Sequence, residues 1–151
     1  LGGRQDHILD WAKSKGIPLA EMPEHARPGS LSQLGVAAAY DGLALGSHSW
    51  AHARLPALSP GELREDLRHT LSWLRERFNR VSSWISYPYG DESASVTKIA
   101  AELHRGGLLV SGGTVPGRTS PHPFRTPRLN IPSGLSRDGF VLRLAGWKSN
   151  A

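Results

Sequence analysis

Two imidazoles four residues apart, His48 and His52, stand in the segment Gly46-Ser47-His48-Ser49-Trp50-Ala51-His52, directly after the short apolar run Leu43-Ala44-Leu45. Four residues is about one helical turn, so in a helix or tight turn both rings can point the same way and share one divalent ion. A catalytic zinc-type centre normally takes three protein ligands plus a water, and nothing nearby in sequence is an obvious third ligand. The competing reading of the same spacing is one exposed histidine and one hydrogen-bonded to a neighbouring carbonyl.

Positioning two such rings is the work of the elements around them. Residues 5–15 place Ile8, Leu9, Trp11 and Ala12 on a helical stripe, with Gly16 where a C-terminal cap belongs. Ile17-Pro18-Leu19-Ala20-Glu21 reads as a short strand, and residues 22–30, with Pro23, Pro28 and Gly29, as a loop. Glu21, Glu24 and His25 follow that strand end, where ligands gather in α/β folds, although a polar surface loop explains them as well. A second helix is predicted from Leu31 to Tyr40, stopped by Asp41-Gly42, and Leu43-Ala44-Leu45 is predicted as a buried strand from whose carboxyl end the two histidines leave.

Ser59-Pro60-Gly61-Glu62 is the clearest local signal, with Ser59 as N-cap, Pro60 at the first helical position and Glu62 reaching back in a capping box. Leu63, Leu67, Leu71, Leu74 and Phe78 then form one apolar face. A strand over 81–87 ends in the turn Pro88-Tyr89-Gly90. An amphipathic helix from Ser93 to Arg105 follows, with Val96, Ile99, Ala100 and Leu103 inward, and then a strand over 107–111. The Gly-, Pro-, Ser- and Thr-rich stretch 112–127 is predicted as a long loop, which makes Arg118, His122 and Arg125 candidate substrate contacts. A short strand over 128–131 and a closing helix over 136–147 carrying Phe140, Val141 and Leu144 complete the chain. Alternation of helices and short apolar strands predicts an α/β domain with a mostly parallel sheet, and places the histidines and the Pro-Tyr-Gly turn on one rim.

The order of these motifs resembles the polysaccharide deacetylases (carbohydrate esterase family 4). His48-Ser49-Trp50-Ala51-His52 is similar to the family's second motif, His-Ser/Thr-x-x-His, and Pro88-Tyr89-Gly90 to the end of its third. The resemblance spans roughly residues 5 to 145. It implies a distorted, incomplete (β/α) barrel, with residues 1–151 as one deacetylase-like domain that is truncated at its N-terminus. It also implies a divalent metal held by two histidines and an aspartate, zinc first and cobalt or nickel as alternatives, with a second aspartate as general base. On that resemblance His48 and His52 are the metal ligands, and the Tyr89 backbone N–H donates to the oxyanion of the reaction. Tyr87, Tyr89 and Arg125 are then substrate-binding residues, and the expected reaction is removal of N- or O-linked acetyl groups from an acetylated polysaccharide.

Three departures accompany the resemblance. An apolar strand ending in Asp-Asp-Gly, the family's first motif, belongs before residue 5 and is not in the sequence. Ser86 stands where the third motif often begins with Arg. The late Leu-x-His motif that supplies a general acid has no counterpart, since Leu103-His104 lacks the spacing, and His104 and His122 read as surface histidines. A glycan-binding relative without turnover is therefore an alternative.

Bulk composition bounds the rest. With 151 residues, 38% hydrophobic and 21% charged, the chain is long enough for one domain with a real core. It contains no cysteine, so disulfides and thiolate metal sites are ruled out. No apolar run approaches the length of a membrane span. No signal peptide opens the chain, and export is expected if one lies upstream of Leu1. A net charge of +5 and a pI of about 10.1 permit binding to anionic polymers, which makes a basic nucleic-acid-binding domain a further alternative. Arg54, Arg64, Arg68, Arg75, Arg77 and Arg80 are spread along or beside one helix without interleaved aromatics, so they read as a solvated face and nucleic acid is not the expected partner. Sequence leaves the oligomeric state undetermined.

Overall fold

The computed structural model describes residues 5–18, 20, 23–24, 27–113 and 122–146. Among them, strands β1 (Leu45–Ser47), β2 (Val81–Ser86), β3 (Gly106–Gly112) and β4 (Thr126–Arg128) form one sheet in the order β1-β2-β3-β4, with every pair parallel. Parallel neighbours need a crossover, and helices α3 (Pro60–Arg77) and α4 (Ala94–Leu103) supply the first two. Right-handed crossovers that always step the same way keep their helices on one face, which is the winding of a (β/α) barrel. In agreement, α3 packs on β1 and α4, and α4 on β3. The four described strands leave the sheet open, so the expected α/β architecture of an incomplete barrel is the one observed.

Helix α3 forms as its sequence dictates. The Ser59 hydroxyl accepts from the Glu62 N–H, and Glu62 reaches back to the Ser59 N–H at 2.9 Å, so the first turn has its orphan donors satisfied. Those Ser59 contacts hold the Glu62 carboxyl below its ordinary range. Leu63, Leu67, Thr70, Leu71 and Leu74 are buried on the inner face. Leu55, Leu63 and Leu67 meet Ile85 and Tyr87 from β2 and its end, and Val96, Ile99 and Ala100 from α4, in one core cluster.

Helices α1 (Gln5–Ser14) and α2 (Leu31–Ala39) lie where expected, and Gly16 takes φ +63° after α1. Of the α1 stripe only Ala12 is buried, while Ile8, Leu9 and Trp11 stay exposed because no described element covers them. The strand expected over 17–21 is absent at Ile17, Pro18 and Ala20, whereas Leu19 and Glu21 lie outside the described residues. Pro18 has no N–H to give a ladder. The strand expected over 43–45 is shifted to Leu45–Ser47: the Leu43 N–H closes the turn onto the Tyr40 carbonyl, and pairing begins at Leu45 opposite Val81. At the other end β4 occupies Thr126–Arg128 rather than 128–131, in register with Leu108 and Gly112 of β3. Helix α5 (Arg137–Leu144) forms, but Phe140, Val141 and Leu144 are exposed.

Most of the arginines do lie on the outer surface, in ion pairs. Arg64 pairs with Glu102, Arg68 with Glu65, Arg77 with Glu76 and Arg80 with Asp41. Arg80 also donates to the Ala39 and Tyr40 carbonyls, closing the end of α2.

His104 corrects the surface assignment, being 5% exposed. It caps α4 where the chain turns straight into β3, which leaves its ring inside. Neither ring nitrogen has a hydrogen-bond partner among the described residues. Burial holds its pKa below the ordinary 6.5; the neighbouring Arg75 charge adds to this, and the Ala100 carbonyl opposes it. The unfolded chain, titrating at the ordinary value, therefore binds a proton that the folded domain refuses. Stability is accordingly lost as pH falls below that ordinary value toward the folded one. His104→Leu is expected to be at least as stable as the parent and to lose less of its stability between about pH 7 and about pH 5, as read by thermal melts.

Candidate active site

His48 directly follows β1, and Ser86 ends β2 beside it. The His48 Nδ1 lies 2.7 Å from the Ser86 carbonyl oxygen. A carbonyl only accepts, so Nδ1 carries the proton and the Nε2 lone pair is left for a ligand. A backbone carbonyl on one ring nitrogen is the usual way a metal-binding imidazole has its tautomer and direction fixed. The His52 ring stands 4.9 Å from that of His48, centre to centre, and 4.8 Å from the ring of Tyr89. The two imidazoles and the Pro88-Tyr89-Gly90 turn thus share one end of the sheet, as the alternation of elements predicts.

A bend this tight is strained. Ser49, His52 and Tyr89 are the non-glycine residues with positive φ among the described residues, at 61°, 50° and 59°, and all belong to this site. Such conformations cost on the order of 1–3 kcal/mol each and persist only where the surroundings fix them. Asp66 of α3 provides the fixing, accepting the Trp50 N–H at 3.0 Å and the Ala51 N–H at 3.1 Å with its two carboxylate oxygens. Trp50 in turn packs edge-on against His69 and Trp73 of the same helix. Sequence reasoning missed Asp66, although an acidic residue bordering the Leu63–Leu67 stripe is a visible signal. Asp66→Ala removes two charge-assisted bonds at once and is expected to lower stability by about 2 kcal/mol. The bend should loosen with it, which a thermal melt and the Trp50 fluorescence would register.

Tyr87 and Tyr89 go to opposite fates. In a continued strand, residues two apart would share a face. Here the chain leaves β2 into a single 3-10 turn at Pro88–Gly90, and the positive φ of Tyr89 swings its ring outward, 50% exposed. Tyr87 stays in the core with 0% exposure, its N–H donating to the Leu108 carbonyl, so it does not line a groove. Its hydroxyl has no partner among the described residues; burial, and then the charge of Glu92, push its pKa up to about 12.

Two arginines pair with the carboxylates that follow the turn. Arg54, which sequence reading grouped with the solvated helix face, instead lies 5.6 Å over the Tyr89 ring centre and pairs with Asp91 at 2.8 Å. Arg125, in a 3-10 turn at Pro123–Arg125, pairs with Glu92 at 2.8 Å. Consecutive carboxylates after the turn therefore hold one guanidinium each. Glu24 is exposed, and Glu21, His25 and Arg118 lie outside the described residues. No cluster of three His, Asp or Glu side chains suited to a metal occurs among the described residues. The donors present, two imidazoles with one tautomer fixed, suit part of a zinc-type ligand set.

A cavity of about 490 Å³ lined by Gly35, Ala38, Arg77, Phe78 and Arg80 opens at the other end of the sheet, where β1 and β2 begin, and contains none of these groups.

Comparison with known proteins agrees with this fold. No curated protein matches the chain. Among solved structures, the Streptococcus pyogenes deacetylase PplD, solved in complex with acetate, superposes with a TM-score of 0.69 at 20% identity, over 80% of this chain and 53% of that one. The putative polysaccharide deacetylase BA0330 from Bacillus anthracis superposes with a TM-score of 0.68 at 14% identity, over 94% of this chain and 48% of that one. The chain thus spans about half the length of either structure. Residues 6–105, which carry both histidines, the Asp66 brace and the Pro-Tyr-Gly turn, match the family profile described as polysaccharide deacetylase, and the chain belongs to that family.

Proposed function

We propose that this chain contributes to a metal-dependent hydrolase centre that removes acetyl groups from an acetylated polysaccharide. The observation that carries the proposal is the convergence of His48 and His52 beside Tyr89, with His48 Nδ1 tied to Ser86 so that the Nε2 lone pair is left to coordinate. His48 and His52 would hold the divalent ion, zinc in preference to cobalt or nickel. When bound, such an ion supplies Lewis acidity toward the acetyl carbonyl and lowers the pKa of water.

The chain's own groups do the rest. The Gly90 and Asp91 N–H groups are consumed inside the turn by the Tyr87 and Pro88 carbonyls, so the turn is held rigid around Tyr89. The Tyr89 N–H donates to the oxyanion that develops as the carbonyl is attacked, where a fixed donor needs no reorganisation. Its exposed ring offers a face for a sugar, and Arg125 contacts the substrate from the rim. The general base and a third metal ligand are not among the groups described around these two histidines.

The test is acetate release from N-acetylglucosamine oligomers, followed by mass spectrometry. Release that a chelator abolishes and zinc restores is expected. Release indifferent to the chelator would refute the metal; oligomer binding with no release under any metal would favour a glycan-binding relative without turnover.

A further inference from the structure

A second cavity, of about 330 Å³, is lined by Thr97, Lys98, His122, Phe124 and Arg125 among others. It adjoins the first turn of α4, which begins at Ala94, only a few residues after Tyr89. Asp91 holds Arg54 over the Tyr89 ring and Glu92 holds Arg125 on the cavity wall, so one short segment links the two places. The volume falls at the lower end of small-ligand pockets, roughly 300–1,000 Å³, enough for one sugar unit rather than a chain.

The lining is cationic. Lys98 and Arg125 both line the cavity, and Arg125 is paired with Glu92, whose side chain is only 16% exposed. Glu102, one turn along α4, is close enough to Lys98 to feel its charge, but its two oxygens are taken by Arg64 at 2.8 and 2.9 Å. Lys98 is therefore not neutralised by its own helix. Thr97 donates its hydroxyl to the Ser93 and Ala94 carbonyls, so recognition of an anion falls to the cations. Phe124, packed on the core, supplies an apolar wall. A carboxylate between two cations with a ring face against an aromatic wall is the signature of an acidic pyranose.

We propose that this cavity binds the carboxylate of an acidic sugar neighbouring the acetylated one, which makes the preferred substrate an acetylated polymer that contains uronic-type units. The inference rests on the deacetylase reading for the identity of the polymer and on the cavity alone for its charge. Calorimetry at low salt would compare an oligomer alternating N-acetylglucosamine and glucuronate with an equal-length N-acetylglucosamine oligomer. The acidic oligomer is expected to bind about 10-fold tighter, an advantage that falls with added salt and that Lys98→Gln largely removes. Lys98 is exposed, so the variant should fold as the parent does. Equal affinity for the two oligomers, or an advantage unchanged in Lys98→Gln, overturns the cavity assignment and leaves the deacetylase reading standing. Acidic preference without acetate release overturns the deacetylase reading and leaves the cavity standing. Tighter binding of glucose 6-phosphate than of glucuronate in a parallel titration overturns the choice of carboxylate over phosphate.

Discussion

Gly107→Ala is expected to cost about 3 kcal/mol of stability, a drop in Tm on the order of 6–12 °C, without any change to the exposed site residues. A Cβ at residue 107 would overlap the Tyr87 hydroxyl and ring, coming within 2.6 Å of Cε2. The ring cannot retreat, because Tyr87 is fully buried and packed among Leu55, Leu63, Leu67 and Val96. Nor can the backbone, since Gly107 pairs with Ile85 in the sheet and Tyr87 is tied to Leu108. Glycine is thus required here for close approach, not for a special φ. Gly61→Ala is the control: it lies in the first turn of α3 with open space around its Cα, and should be neutral or stabilising by about 0.5–1 kcal/mol. Tyr87→Phe removes a buried hydroxyl that has no partner and should leave stability unchanged or slightly higher, which a substrate-binding role for that hydroxyl would not predict. Equal melting temperatures for Gly107→Ala and the parent would mean that the Tyr87 ring is not where the structure puts it.

How much of this was legible beforehand depends on how local each cause is. Helix α3 was readable to its ends because its cap, its proline and its leucine spacing all act within the helix. Strand limits were not, because they are set by register against a neighbour. Leu43 looks as strand-like as Leu45, and only pairing with Val81 separates them. The inward faces assigned to α1 and α5 show the same dependence: a pattern says which residues would be covered, and the cover has to come from elsewhere.

The site divides along the same line. Histidine spacing and the Pro-Tyr-Gly turn are sequence-local, and both converge as read. What holds them is not local: Asp66 reaches back 15 or 16 residues, and the Ser86 carbonyl reaches 38, to the loop that carries the histidines. Tyr87 was assigned to the substrate by resemblance, whereas strand alternation puts it on the buried face of Ile85, and the positive φ of the turn swings out Tyr89 alone. His104 was misplaced because a capping position between a helix and a strand is interior in a layered fold, whatever the polarity of its side chain.

Zinc affinity is where the histidines should have their largest effect. His48→Ala and His52→Ala are each expected to weaken binding by more than about 100-fold, since loss of a mere outer partner of a ligand already costs 10–100-fold. Both rings are at the surface and outside the core cluster, so without metal His48→Ala should cost about 1 kcal/mol for its one hydrogen bond to Ser86, and His52→Ala no more. Zinc should then raise the Tm of the parent and not of either variant, because a ligand stabilises only the state that binds it. A second comparison separates ligation from support. Asp66→Ala leaves both imidazoles in place but releases the bend between them, so it should weaken zinc less than loss of a ring does while costing more stability than either. Undiminished zinc binding in His48→Ala and His52→Ala would reduce the convergence of the rings beside Tyr89 to a packing contact, and the hydrolase proposal would lose the observation on which it stands.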